Sequence, residues 1–227
     1  MYKKSLLIVF VFVSYFQFYA QDETIRSFTT SSFEVTFPQT AIIELGIGEL
    51  TRSFQYINGG YSFNEKFSIN FEFTSLPNKM IYEDMVVLLS ASFNVTNNFT
   101  IGPYHSFYNP RIGLFSSYGL KLFSMYLETK IGGDIYYSNK SAITSDVNCF
   151  MSLSSKKRIL KKLQLIGEIC YTNNSPQSSY VNKYFLFSIG SQYQIFNSIN
   201  IRGMLGYNQL GDDDKVIAQL GINYIFK

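Results

Sequence analysis

Residues 215–226 constrain the fold more than any other stretch, and they read KVIAQLGINYIF. Val216, Ala218, Leu220, Ile222, Tyr224 and Phe226 share one parity. Lys215, Gln219, Gly221 and Asn223 share the other, with Ile217 and Ile225 as exceptions. Successive side chains of a strand point to opposite faces, so alternation at period two marks a strand with one apolar and one polar face. About ten residues tilted near 45° is the length that crosses a bilayer as a strand.

The same period recurs through the chain. Residues 40–48 place Ala41, Ile43, Leu45 and Ile47 on one face and Glu44 on the other. Phe67, Ile69, Phe71 and Phe73 alternate with Ser68, Asn70, Glu72 and Thr74. Leu127, Thr129, Ile131, Gly133 and Ile135 alternate with Glu128, Lys130 and Asp134. Val147, Cys149, Met151 and Leu153 form another outward row, and Leu163, Leu165, Gly167, Ile169 and Tyr171 form its neighbour. The pair Gly59-Gly60 inside a weaker strand predicts a bend or bulge. Turns near 65, 97, 125, 157 and 197 read as tight; those near 79, 110, 141, 176 and 212 read as longer and more polar. Short turns at one end and long loops at the other are the habit of membrane β-barrels. The pattern predicts an all-β fold: an antiparallel transmembrane up-and-down β-barrel over residues 39–227, with about twelve strands. Ten or fourteen strands are the alternatives, because the first sixty residues are ambiguous. Residues 21–38 are polar and rich in Ser and Thr, and form a periplasmic tail, a plug or an extra strand.

Composition agrees with a barrel. Charged residues make up 15% of the chain, against about 25% in ordinary soluble domains. Aromatics make up 18%, all Phe and Tyr, and mean hydropathy is only +0.03. A barrel averages its lipid-facing residues against its lumen-facing ones, which gives this combination. A soluble sandwich would carry more charge on its wet face. The formal charge is +3, and nothing in it points to nucleic acid.

The beginning of the chain reads as a secretory signal over residues 1–20. Lys3 and Lys4 precede the apolar run 6–18, and Ala20 is followed by Gln21-Asp22-Glu23. The end, with Gln219, Gly221, Tyr224 and Phe226, resembles the C-terminal targeting strand of Gram-negative outer-membrane β-barrel proteins. The short aromatic strands and the Tyr-x-Phe ending resemble the small barrels of the Bacteroidota type. That resemblance implies the outer membrane of a Gram-negative bacterium, and twelve strands with short periplasmic turns put both termini in the periplasm. The resemblance also implies outer-membrane lipids, lipopolysaccharide and the barrel-insertion machinery as partners.

Candidate chemistry is sparse. His105 and Ser106 are adjacent in a strand, so they point to opposite faces and cannot act as a pair. Cys149 and Cys170 fall on opposite faces of neighbouring strands, which predicts two free cysteines. No Cys/His cluster has metal spacing and no glycine loop cradles phosphate, so neither metal nor cofactor is expected. Lys156, Lys157, Arg158, Lys161 and Lys162 read as one basic periplasmic turn, either solvated or facing anionic lipid heads. Asp212-Asp213-Asp214 reads as a solvated outer loop.

The inward, lumen-lining set is Glu44, Glu72, Lys121, Glu128, Lys130, Asp134, Glu168 and Arg202, with Gln192, Gln194, Asn200 and Asn223. Five acids against three bases predict a weakly negative, cation-preferring bore. A twelve-strand wall has a backbone radius of roughly 12 Å, which inward side chains narrow or close. Three function classes follow: a narrow passive channel for small polar solutes, which is favoured; a structural or accessory barrel of a larger outer-membrane assembly; and a barrel enzyme, which the isolated histidine argues against.

Overall fold

The computed structural model describes residues 39–49, 53–75, 86–107, 110–136, 147–173, 184–209 and 216–226. Twelve strands occupy them: Thr40–Glu49 (β1), Ser53–Asn64 (β2), Phe67–Ser75 (β3), Val86–Asn94 (β4), Phe99–Ser106 (β5), Arg111–Leu122 (β6), Met125–Tyr136 (β7), Val147–Leu160 (β8), Leu163–Thr172 (β9), Tyr184–Phe196 (β10), Ile199–Asn208 (β11) and Val216–Phe226 (β12). Each strand pairs antiparallel with the next. β1 and β12 close the ring, in register from Ala41↔Phe226 to Glu49↔Ala218. Closure matters because an open edge would leave rows of peptide groups unpaired in hydrocarbon. The expected count of twelve is the one observed. The signal and tail over residues 1–38, the long loops near 79, 141, 176 and 212, and the Asp212–Asp214 run lie outside the described residues.

Alternation decides which side chains are inside. On β6, Arg111, Gly113, Phe115 and Ser117 are buried while Ile112, Leu114, Tyr118 and Leu120 are exposed. The outer wall is a band of large apolar groups, with Leu45, Leu89, Leu114, Ile131, Ile189 and Leu205 all exposed. Aromatic rings edge the band. Tyr61, Phe63, Phe67 and Phe93 form a chain of ring contacts at the tight-turn end, 4.9, 5.3 and 5.0 Å between successive centroids. Phe185 and Phe187 pair near the opposite end, as do His105 and Phe107. An aliphatic belt between two aromatic girdles is what a bilayer selects: hydrocarbon at mid-depth and amphipathic rings at the headgroups.

Three local expectations change. Gly59-Gly60 makes no bulge, and the ladder runs through both residues in register. The bulges sit at Ser62/Asn64, Arg158/Leu160 and Gln194/Phe196, each just before a tight turn. Gly59 instead makes room for the Phe71 ring, which lies where a Cβ would be. The β6–β7 turn is Phe123-Ser124, with Phe123 at a φ of 54°. The β8–β9 turn is Lys161-Lys162, so the basic cluster does not form one turn: β8 continues through Lys156, Lys157 and Arg158. Asn64 closes the β2–β3 turn, its Oδ1 accepting from the backbone N–H groups of Lys66 and Phe67 at 2.8 and 2.9 Å. That local bond is why Asn starts tight turns.

Candidate functional site

The interior is built from short rows of side chains that cross neighbouring strands. One spans the closure seam. Arg202 on β11 pairs with Gly221 on β12, Gly221 with Gly46 on β1, and Gly46 with Tyr56 on β2. The two glycines leave a trough. Tyr56 lies in it, over the positions where Cβ atoms on Gly46 and Gly221 would stand. From there Tyr56 Oη donates to Glu44 Oε1 at 2.9 Å, while Arg202 Nη1 lies 3.3 Å from Glu44 Oε2. Glu44 is 1% exposed, and a carboxylate so placed needs a cation and a donor.

A second row repeats the plan on β5–β8. Tyr104 lies over its partner Gly113, and Gly113 pairs with Asp134, which pairs with Asn148. Asp134 accepts from Tyr104 Oη at 2.6 Å, from Asn148 Nδ2 at 2.6 Å and from Arg111 Nη1 at 3.3 Å. Nearby, Lys156 Nζ donates to Glu128 Oε2 at 2.7 Å, and Lys130 Nζ stands 4.5 Å from the Phe115 ring centroid. Phe115 lies over Gly102 and Phe150 over Gly132. In each case a ring lies over the glycine it pairs with on the neighbouring strand, and Tyr56 reaches one strand further, to Gly221.

The remaining sequence-derived residues fall as follows. Glu72 is buried and accepts from Thr74 Oγ1 at 3.3 Å. Glu168 is buried between its partners Ser154 and Ser188. Lys121 is half-buried near the tight-turn end. Gln192, Asn200 and Asn223 are buried and Gln194 is half-buried. Of the C-terminal set, Gln219 and Gly221 point to the interior, while Tyr224 and Phe226 are exposed with centroids 4.4 Å apart. His105 is half-buried against Phe107, whereas Ser106 is fully buried on the other face. Cys149 is exposed, Cys170 is buried, and the two are not joined in a disulfide.

Four groups that organise the interior were not in the expected set: Tyr56, Tyr104, Arg111 and Lys156. Arg111 follows Pro110 in the stretch that reads as a longer polar turn, yet it opens β6 and is 3% exposed. Lys156 shares parity with Ser152 and Ser154, a signal hidden by placing the turn four residues early. Adding both bases changes the electrostatics. Among the described residues the buried charges are Glu44, Glu72, Glu128, Asp134 and Glu168 against Arg111, Lys130, Lys156 and Arg202, and half-buried Lys121 makes five bases to the five acids. Among these residues the surplus of acid behind the cation-preferring bore is absent.

The fold has counterparts among solved structures. The KdgM porin superposes with a TM-score of 0.59 at 12% identity, over 82% of this chain and 99% of that one. The NanC porin gives 0.58 at 10% identity, over 82% and 99%. An outer membrane channel from Pseudomonas putida F1 gives 0.55 at 10% identity, over 88% and 100%. The chain shares the porin-like closed β-barrel fold. No protein-family model and no curated protein matches its sequence.

Proposed function

We propose that this chain is an integral outer-membrane β-barrel of a Gram-negative bacterium that passes small polar solutes through a narrow lumen, both termini facing the periplasm. The observation that carries the reading is the inversion of its wall. Leu89 and Ile131 are 40% and 53% exposed on the outside, while Asn70 and Glu44, at 1%, are enclosed within the ring. A soluble protein arranged this way would expose an apolar belt to water and enclose ions; lipid outside and a hydrated bore inside satisfy both faces. The likeness to porins and to a channel supports the same reading at the level of fold.

The location of the ion pairs favours a channel over an accessory barrel. Asp134–Arg111 and Glu128–Lys156 join adjacent strands, and Glu44–Arg202 spans only β1 to β11 around the seam. These three bridges run along the wall and none ties opposite sides of the ring together. Outer-membrane lipids, lipopolysaccharide and the barrel-insertion machinery are its partners in this account. Thiol accessibility tests it. In a Cys149→Ser, Cys170→Ser background reconstituted in vesicles, Ser90→Cys should react with a small water-soluble maleimide and Leu89→Cys should not. A reactive Leu89→Cys with a silent Ser90→Cys would reverse the assignment of faces.

A further inference from the structure

Three pairs of interior charges, Arg111–Asp134, Lys156–Glu128 and Arg202–Glu44, are engaged with one another, but a set of neutral groups is not. Gln164 on β9 and Gln192 on β10 are cross-strand partners, and Gln192 pairs in turn with Arg202 on β11. Both glutamines are more than nine-tenths buried, at 4% and 7% exposure, and the Oε1 atom of each meets no hydrogen-bond donor. Ser188 Oγ, on the same face of β10, is likewise unmet, as is Asn58 Oδ1 on β2. Toward the tight-turn end the amide wall continues with Gln194 and with Asn200, whose Nδ2 donates to Asn223 Oδ1 at 2.8 Å.

An amide oxygen accepts two hydrogen bonds, and a buried one left without a donor is costly. Adjacent unmet acceptors on the inner face of the wall therefore describe the ligand they suit: a molecule carrying several hydroxyl donors. The charges argue in the same direction. Glu44, Glu128 and Asp134 each already face a cation, so an ionic solute shedding water finds its counter-charges occupied. A neutral hydroxyl only exchanges a bond to water for a bond to an amide.

We infer that the Gln164–Gln192 row is the solute-contact site of the lumen and that it takes uncharged polyhydroxyl solutes, a polyol or a sugar. The inference rests on the channel reading above and names its substrate class. The test uses the full chain in proteoliposomes and compares swelling rates in glucose, glucuronate and glucosamine, which match in size and differ in charge. Glucose should enter about fivefold faster than either ion, the scale of one or two hydrogen bonds. Gln164→Leu with Gln192→Leu should remove most of that preference, in a barrel whose heat-modifiable migration on gels shows that it has folded. Charged sugars entering as fast as glucose in the wild type would overturn the inference without reference to any variant. So would an undiminished preference in the double variant. KCl conductance with glucose excluded would overturn the substrate class and leave the channel standing; neither conductance nor swelling would overturn both.

Discussion

Tyr56 and Gly46 are cross-strand partners, and the Tyr56 ring fills the volume that a side chain on Gly46 would need. The glycine is what lets the phenol reach past its own neighbour to Glu44 on the adjoining strand β1, beside the closure seam. Any Cβ at position 46 must push the ring away, and the Tyr56–Glu44 bond with it. Gly46→Val should therefore lower stability by about 1–3 kcal/mol, the usual range for overpacking a fitted site. The urea midpoint of the folded barrel measures this. Removing the ring first should relieve the clash, so Gly46→Val should cost much less in a Tyr56→Ala background. Equal costs in both backgrounds would show that ring and glycine are independent.

The two faces of the wall make a paired prediction. Arginine at mid-depth on a lipid face costs about 2–4 kcal/mol, so Leu89→Arg should sharply lower folding yield into vesicles. Asn58 faces inward between its partners Glu44 and Glu72, so Asn58→Arg gains two carboxylate neighbours and should fold normally. Heat-modifiable migration on gels reports both. The reverse ranking would mean that inside and outside have been exchanged.

Most of the architecture was legible because it depends on parity, and parity survives errors at strand ends. Glu44, Glu128, Asp134 and Arg202 could be assigned to the interior from their strands alone. Arg111 and Lys156 could not, because each sits where a strand outlasts its obvious apolar alternation, next to Pro110 and in a run of lysines. Tyr56 and Tyr104 were missed for another reason. A tyrosine suits either face of a barrel, and only the pairing of strands reveals the glycine beneath each ring. The glycines at 46, 113 and 221 therefore carried information that a single strand cannot express.

The recovered bases change the expected ion selectivity. With Glu128 and Lys156 bonded at 2.7 Å, the wild-type bore should discriminate little between potassium and chloride. Glu128→Gln leaves Lys156 uncompensated and should move the reversal potential toward anions. Lys156→Gln should move it toward cations. Both shifts should shrink at about 1 M salt, where the screening length falls to roughly 3 Å. Shifts of the same sign in the two variants would contradict the pairing.

The aromatic end of β12 should matter before folding is complete. Tyr224 and Phe226 face outward at the tight-turn end, their rings in edge contact. Their loss should weaken recognition of the chain end by the insertion machinery and the anchoring of the seam strand at the interface. Tyr224→Ala with Phe226→Ala is expected to reduce the barrel recovered from outer membranes and to leave aggregate in the periplasm. Unchanged membrane yield and gel migration would rule this out.

The central claim is that the ring encloses a water-filled path, and single-channel recording of the refolded full chain in planar bilayers tests it most directly. The account predicts small, steady conductance steps in KCl, with a reversal potential close to zero under a salt gradient because the interior charges balance. A correctly folded barrel that carries no current would show a closed interior and contradict the account.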